Sequence, residues 1–109
     1  MSEARLFLLQ RGSAAVLGLC VAVHLVTLVL AVQAGLSAEA ILGRTRGQFG
    51  WLVFYGLFAA AAAVHAPIGL RAVLRETAGW KGQGADLALL AFGALLLAAG
   101  WRAAWAVFA

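Results

Sequence analysis

A chain of 109 residues that is 65% hydrophobic and 11% charged, with a mean hydropathy of +1.00, lies well outside the composition of a soluble domain. Its net charge of +4 would suggest nucleic acid in a soluble protein, but in so apolar a chain basic residues flank membrane spans as topology signals, so no nucleic-acid partner is expected. Cys20 is the sole cysteine, which excludes disulfides, thiolate zinc sites, cysteine-ligated iron–sulfur clusters and c-type haem attachment within this chain.

Three apolar stretches, 12–34, 50–70 and 87–108, each reach the roughly 20 helical residues that a hydrocarbon core requires. The prediction is an all-α membrane protein, a single membrane-anchor domain over residues 1–109, with transmembrane helices at about 12–34, 50–75 and 86–108. The first stretch ends in "LVLAVQAG", whose small residues imitate a signal cleavage site. Its apolar run exceeds the roughly 7–15 residues of a signal h-region and Glu3 interrupts the basic flank, so a retained helix is expected. It begins near Arg11 and stops where Gly35 and Ser37 break the pattern. In the connection "LSAEAILGRTRGQFG", Ser37 stands two residues before Glu39 and can cap a short interfacial helix. The second long helix runs from "WLVFYG" to about Arg75, and "TAGWKGQGA" turns the chain into the third.

Lysine and arginine set the orientation. With a cytoplasmic N-terminus, Arg5, Arg11, Arg71, Arg75 and Lys81 lie inside and Arg44, Arg46 and Arg102 outside, five against three. The expected location is the inner (cytoplasmic) membrane, with the C-terminus periplasmic. Trp51, Tyr55, Trp80, Trp101 and Trp105 suit an interfacial belt. Small residues recur in every span: Ala14, Gly18 and Ala22; the run 59–63 and Gly69; Gly93 and Gly100. They let helices approach closely in lipid. Three short helices supply few neighbours for those faces, so an oligomer or heteromeric complex is expected.

Polar residues within the spans are few: Ser13, His24, Thr27 and His65, with Arg71 and Arg102 near the ends. Ionisable groups in hydrocarbon are costly and tend to mark function. Ser13, Cys20, His24 and Thr27 are spaced by seven, four and three residues, which places them on one helix face. His65 has Ala61, Ala62 and Gly69 on its own face, which clears flat space beside the imidazole. No acidic residue neighbours it, so it is poorly arranged for proton relay. It suits an axial ligand to haem iron, with a planar macrocycle close to the helix. The plainer alternative is a histidine hydrogen-bonded across a helix interface. Pro67 fits either reading, because it removes a donor and frees the Ala63 carbonyl. If Arg11 and Arg71 mark one surface, His65 lies ~9 Å and His24 ~20 Å from it, about 10 Å apart in depth. The two would then not clamp one haem, and each would need a ligand from another helix. Arg11 with Ser13 can hold a haem propionate or a quinone carbonyl; alternatively Arg11 snorkels as an anchor. Arg71 and Arg75 point away from His65 and mark the end of their helix.

The segments "QRGSAAVLG" and "VHAPIGLRAVLRE", with a third helix after a short turn, resemble the membrane-anchor cytochrome b subunits of succinate dehydrogenase and fumarate reductase, the complex II family, over essentially the whole chain. Arg11 and Ser13 match that family's arginine followed two residues later by Ser or Thr. His65 and Gly69-Leu70 match its His-x-x-x-Gly-aliphatic pattern, and Glu76 its closing acidic residue. The resemblance implies half of a heteromeric or homomeric haem-binding helix bundle that tethers the flavoprotein and iron–sulfur subunits and passes electrons to or from a membrane quinone, ubiquinone or menaquinone. It implies His65 as axial ligand of haem b, His24 as candidate ligand of a second haem shared with a partner anchor, and Arg11 and Ser13 beside quinone or haem propionate. Where some relatives carry Asp-Tyr after the second helix, this chain has Glu76-Thr77, so a tyrosine donor to quinone would come from a partner subunit. Dicarboxylate oxidation itself would lie elsewhere, since three spans leave no room for flavin. A small proton-coupled transporter is the rival from another class, and it generally needs a membrane-embedded carboxylate; Glu3, Glu39, Glu76 and Asp86 all lie at or outside the span ends. A haem-free structural anchor, with both histidines packing, is the third reading.

Overall fold

A computed structural model describes residues 2–109, which form four helices in the order α1 (Glu3–Ala34), α2 (Ala38–Thr45), α3 (Phe49–Thr77) and α4 (Gln83–Phe108). The three long ones are apolar and long enough to span a bilayer, and no strand is found among the described residues. The body measures 47 × 23 × 22 Å, so it crosses a hydrocarbon core of roughly 30 Å with ends left for both headgroup layers. Large apolar side chains such as Leu19, Val32, Phe49 and Leu90 point outward. In water that surface would not persist; in lipid it is the solvated one.

The sequence signals act locally as expected at the end of α1 and the start of α2; α4 begins at Gln83, three residues before the expected 86, and α1 departs most, at its start. It opens at Glu3, well before residue 12, because the Ser2 hydroxyl accepts the Arg5 N–H as an N-cap and Glu3 sits in the positive first turn. The stretch from Ala4 to Gln10 is made of good helix formers, and at ~1.5 Å per residue the extra turns carry α1 beyond the hydrocarbon. Gly35, at φ 116°, ends the helix. Ser37 caps α2 by accepting the Ala40 N–H.

Helix α3 is central. Helix α1 packs antiparallel along it, α4 packs antiparallel along another side, and α2 folds against α4. The half-buried and buried residues of α1 that face α3, Gln10, Ser13, Leu17, Cys20, His24, Thr27 and Ala31, follow alternating three- and four-residue steps. That spacing is a heptad seam, which suits a small crossing angle. The α4 seam uses glycines one heptad apart. A methyl group placed on Gly100 would come within 2.5 Å of Ala59 Cβ, and one on Gly93 within 3.0 Å of the Ala63 carbonyl oxygen and 3.1 Å of Pro67 Cγ. The carbonyl that Pro67 frees is therefore covered by the bare backbone of Gly93.

Each end of the bundle is tied. At one, Arg71 of α3 reaches Glu3 of α1 at 3.6 Å and Asp86 of α4 at 3.4 Å, and Arg75 reaches Glu3 at 3.5 Å. The arginines expected only to mark a helix end thus link all three spans. At the other end, the last residue of α2 and the two after it cap α4: Thr45 Oγ1 donates to the Val107 carbonyl at 2.7 Å, Gly47 N to Phe108 at 2.8 Å and Arg46 Nε to Ala109 at 2.8 Å. Carbonyls at a helix C-terminus have no intrahelical partner, so these donors supply them.

Candidate functional site: two histidine stations

His65 lies on the α1-facing side of α3, where Ser13 Oγ is 3.4 Å from its Nδ1. The same hydroxyl donates to the Gln10 carbonyl, at the shorter distance of 3.1 Å. A serine has one hydroxyl hydrogen, and with it on Gln10 the oxygen can only accept from the ring. With the serine hydrogen on Gln10, the ring that meets Ser13 is the Nδ1–H tautomer, whose lone pair is on Nε2. A histidine prepared for a metal is held in this way, with one ring nitrogen fixed by an outer partner.

The space beside His65 is less open than the alanines and glycine suggest. Gln10 Nε2 lies 3.1 Å from where a Gly69 Cβ would stand, so the glutamine amide covers that part of the face. Ala61 is buried. Gln10 Oε1 is buried with no hydrogen-bond partner, one turn from the histidine, so this station carries an unmet acceptor.

His24 stands opposite Tyr55. Its Nδ1 is 3.5 Å from the Tyr55 hydroxyl, and its ring meets Tyr55 and Phe58 edge-on, both at 5.8 Å between centroids. Thr27 below it donates to the His24 carbonyl at 2.7 Å. The pair lines an open groove of about 630 Å³ between α1, α3 and α4, bounded toward one end by Ile41 and Thr45 of α2. It also walls a smaller one of about 320 Å³ on the other side of the rings.

Ser13 is level with His65, and His24 with Tyr55. His65 therefore lies ten residues of α3 from the level of His24, ~15 Å at ~1.5 Å per residue. The figure of about 10 Å expected from the arginines is too small, because Arg71 pairs with Glu3, beyond Arg11 along α1. Within one chain the two rings are thus farther apart in depth than expected.

Arg11 and Ser13 part company. Two residues apart on a helix they point in opposite directions: Ser13 is buried against α3, whereas Arg11 is exposed with its guanidinium 5.8 Å from the Phe7 ring centroid. Within this chain they form no joint site. Two residues escaped the sequence reading. Gln10 continues the step of Ser13, Cys20, His24 and Thr27 by three residues, a register that could have revealed it. Tyr55, expected in an interfacial belt, turns its hydroxyl inward to His24, and no sequence signal separates it from Trp51 beside it.

Among the described residues no three His, Cys, Asp or Glu side chains cluster as a metal cage. A haem would ask only one or two imidazoles of the chain, and His65 meets that by donor type, while the Gln10 amide covers part of the face beside it. No family model, curated protein or solved structure matches the chain.

Proposed function

We propose that the chain is a membrane anchor of the complex II kind. It would hold haem b through His65 Nε2, tether a flavoprotein and an iron–sulfur subunit, and serve electron transfer with a membrane quinone. The observation that carries this reading is the Ser13–His65 contact, in which the serine hydrogen is committed to Gln10 and the imidazole presents its lone pair at Nε2. Bound haem supplies a one-electron carrier within the bilayer. Ser13 fixes the ring orientation, and the unmet Gln10 Oε1 is a polar group one turn away for whatever completes the site. The second axial ligand comes from a partner anchor, a second copy or a different chain, packed on the exposed faces of the spans.

Arg11, free of Ser13 and exposed, keeps the quinone or propionate role only toward that partner. The N-terminal end with Arg5, Arg11, Arg71, Arg75 and Lys81 is the cytoplasmic docking side, in an inner membrane. The carboxylates speak against the transporter reading: Glu3 opens α1, Asp86 lies in the first turn of α4, Glu39 is in α2 and Glu76 is next to the last residue of α3. None is at mid-span.

Optical spectra of the purified complex test the proposal. The expected result is a reduced-minus-oxidised b-type α-band that His65→Ala abolishes and Ser13→Ala retains with a shifted midpoint potential. Full quinone reductase activity in a complex devoid of haem would remove the ligand role of His65 and leave a structural anchor.

A further inference from the structure

Arg5 stands apart from the ion pairs at its end of the bundle. Glu3 is committed to Arg71 and Arg75, and Asp86 to Arg71; among the described residues Arg5 has no acidic partner, and it is exposed. It lies at the mouth of an open groove of about 610 Å³ between α1 and α3. Along α1 the groove passes Leu8 and Gly12 and reaches Val16, and on α3 it is walled within residues 57–64, around the middle of that helix. Apart from Arg5 and Ser13 the lining is apolar, and the Ser13 hydrogen is already given to Gln10. Gly12 is open floor: a methyl group there would meet nothing within 4 Å.

The length of the groove decides what fits it. Arg5 and Val16 are eleven residues apart, ~16 Å along α1, whereas a hydrocarbon core is roughly 30 Å thick. The groove therefore opens at one end of the bundle and finishes near mid-membrane. A partner helix would need a seam through the whole core, while an acyl chain of one leaflet needs half of it. At the mouth, the Arg5 guanidinium offers a fork of donors that matches phosphate oxygens. Arg5, Arg11, Arg71, Arg75 and Lys81 share this end with only Glu3, Glu76 and Asp86, so the surrounding field favours a headgroup of net negative charge over one that adds its own cation beside the phosphate.

We propose that the α1–α3 groove is a site for one anionic phospholipid, with its phosphate on Arg5 and one acyl chain laid over Gly12 as far as Val16. The site depends on the fold alone and stands or falls separately from the haem reading of His65.

Native mass spectrometry of the full chain, released from phosphatidylcholine vesicles that contain increasing phosphatidylglycerol, counts the lipid each chain retains. The expected result is one phosphatidylglycerol per chain. Half-saturation should move about fivefold to higher phosphatidylglycerol in Arg5→Gln, which removes one interfacial cation, and stay near wild type in Arg5→Lys. The adduct should vanish in Gly12→Leu, whose side chain enters free space in the groove. Arg5→Gln, at an exposed position outside every ion pair, carries the test should Gly12→Leu unfold. Equal retention by wild type and Arg5→Gln would mean that lipid adheres to the apolar surface without a site, and would overturn the proposal. A drop in Arg5→Gln with none in a folded Gly12→Leu would also overturn it, by reducing the contact to surface charge. So would a two-chain mass that Gly12→Leu abolishes, which would put a second copy in the groove. Glycerol 3-phosphate, which has the phosphate and no acyl chain, should fail to displace the lipid at equal concentration; full displacement would make Arg5 a soluble-phosphate contact and remove the lipid site.

Discussion

Ser13 Oγ and His65 Nδ1 meet at 3.4 Å although 52 residues separate them in the chain, and the direction of that hydrogen bond decides which ring nitrogen is free. Nitrogen-15 spectra of the histidines should show His65 protonated on Nδ1. In Ser13→Ala, His65 should become a mixture of tautomers, while His24 is unchanged. An Nε2–H form of His65 in the wild-type protein would contradict the assignment and its readiness for a metal.

Gly100 offers the sharpest test of the α3–α4 packing. Even alanine there would bring its Cβ within 2.5 Å of Ala59 Cβ, and both groups belong to rigid helices with no flexible side chain to yield. Gly100→Ala should destabilise the bundle by about 1–3 kcal/mol, measured by unfolding in mixed detergent micelles. Gly18→Ala, where nothing lies within 4 Å, should be neutral or slightly stabilising through helix propensity. Equal responses at the two positions would mean that the seam is looser than described.

The long apolar runs made three spans legible in the sequence, and the Ser37 cap made α2 legible too, since both depend on local chemistry. The polar face of α1 was also readable, because a helix fixes which residues share a side. What could not be read was pairing between helices. The separation of the histidines depends on how far α1 extends past the membrane surface, and that is set by the Ser2 cap and the Arg71–Glu3 contact. Likewise, motif spacing alone put Arg11 and Ser13 together, whereas two helical steps drive them apart. Tyr55 looked like its aromatic neighbours until His24, on another helix, gave its hydroxyl a partner.

Cys20 and Leu19 are adjacent but occupy opposite environments, 4% and 72% exposed. Cys20→Phe should cost about 1–3 kcal/mol by overpacking the α1–α3 seam. Leu19→Phe, facing lipid, should fall within about 0.5 kcal/mol of wild type. Unfolding midpoints of the two variants check the rotation of α1, and a reversed order would place the wrong face against α3.

Thr45 tests the tie between α2 and the end of α4. Its hydroxyl has two acceptors within reach, the Ile41 carbonyl at 3.2 Å and the Val107 carbonyl at 2.7 Å; the shorter contact takes the single hydrogen. Thr45→Val keeps the shape and removes that donor, at a cost of about 0.5–1.5 kcal/mol. The loss should be local, because Gly47 N and Arg46 Nε still serve the next two carbonyls. Amide exchange should therefore quicken in the last turn of α4 while residues around Gly93 keep their protection. Uniform acceleration along α4 would show instead that α2 holds the whole helix in place, and that the groove beneath it depends on this one hydroxyl.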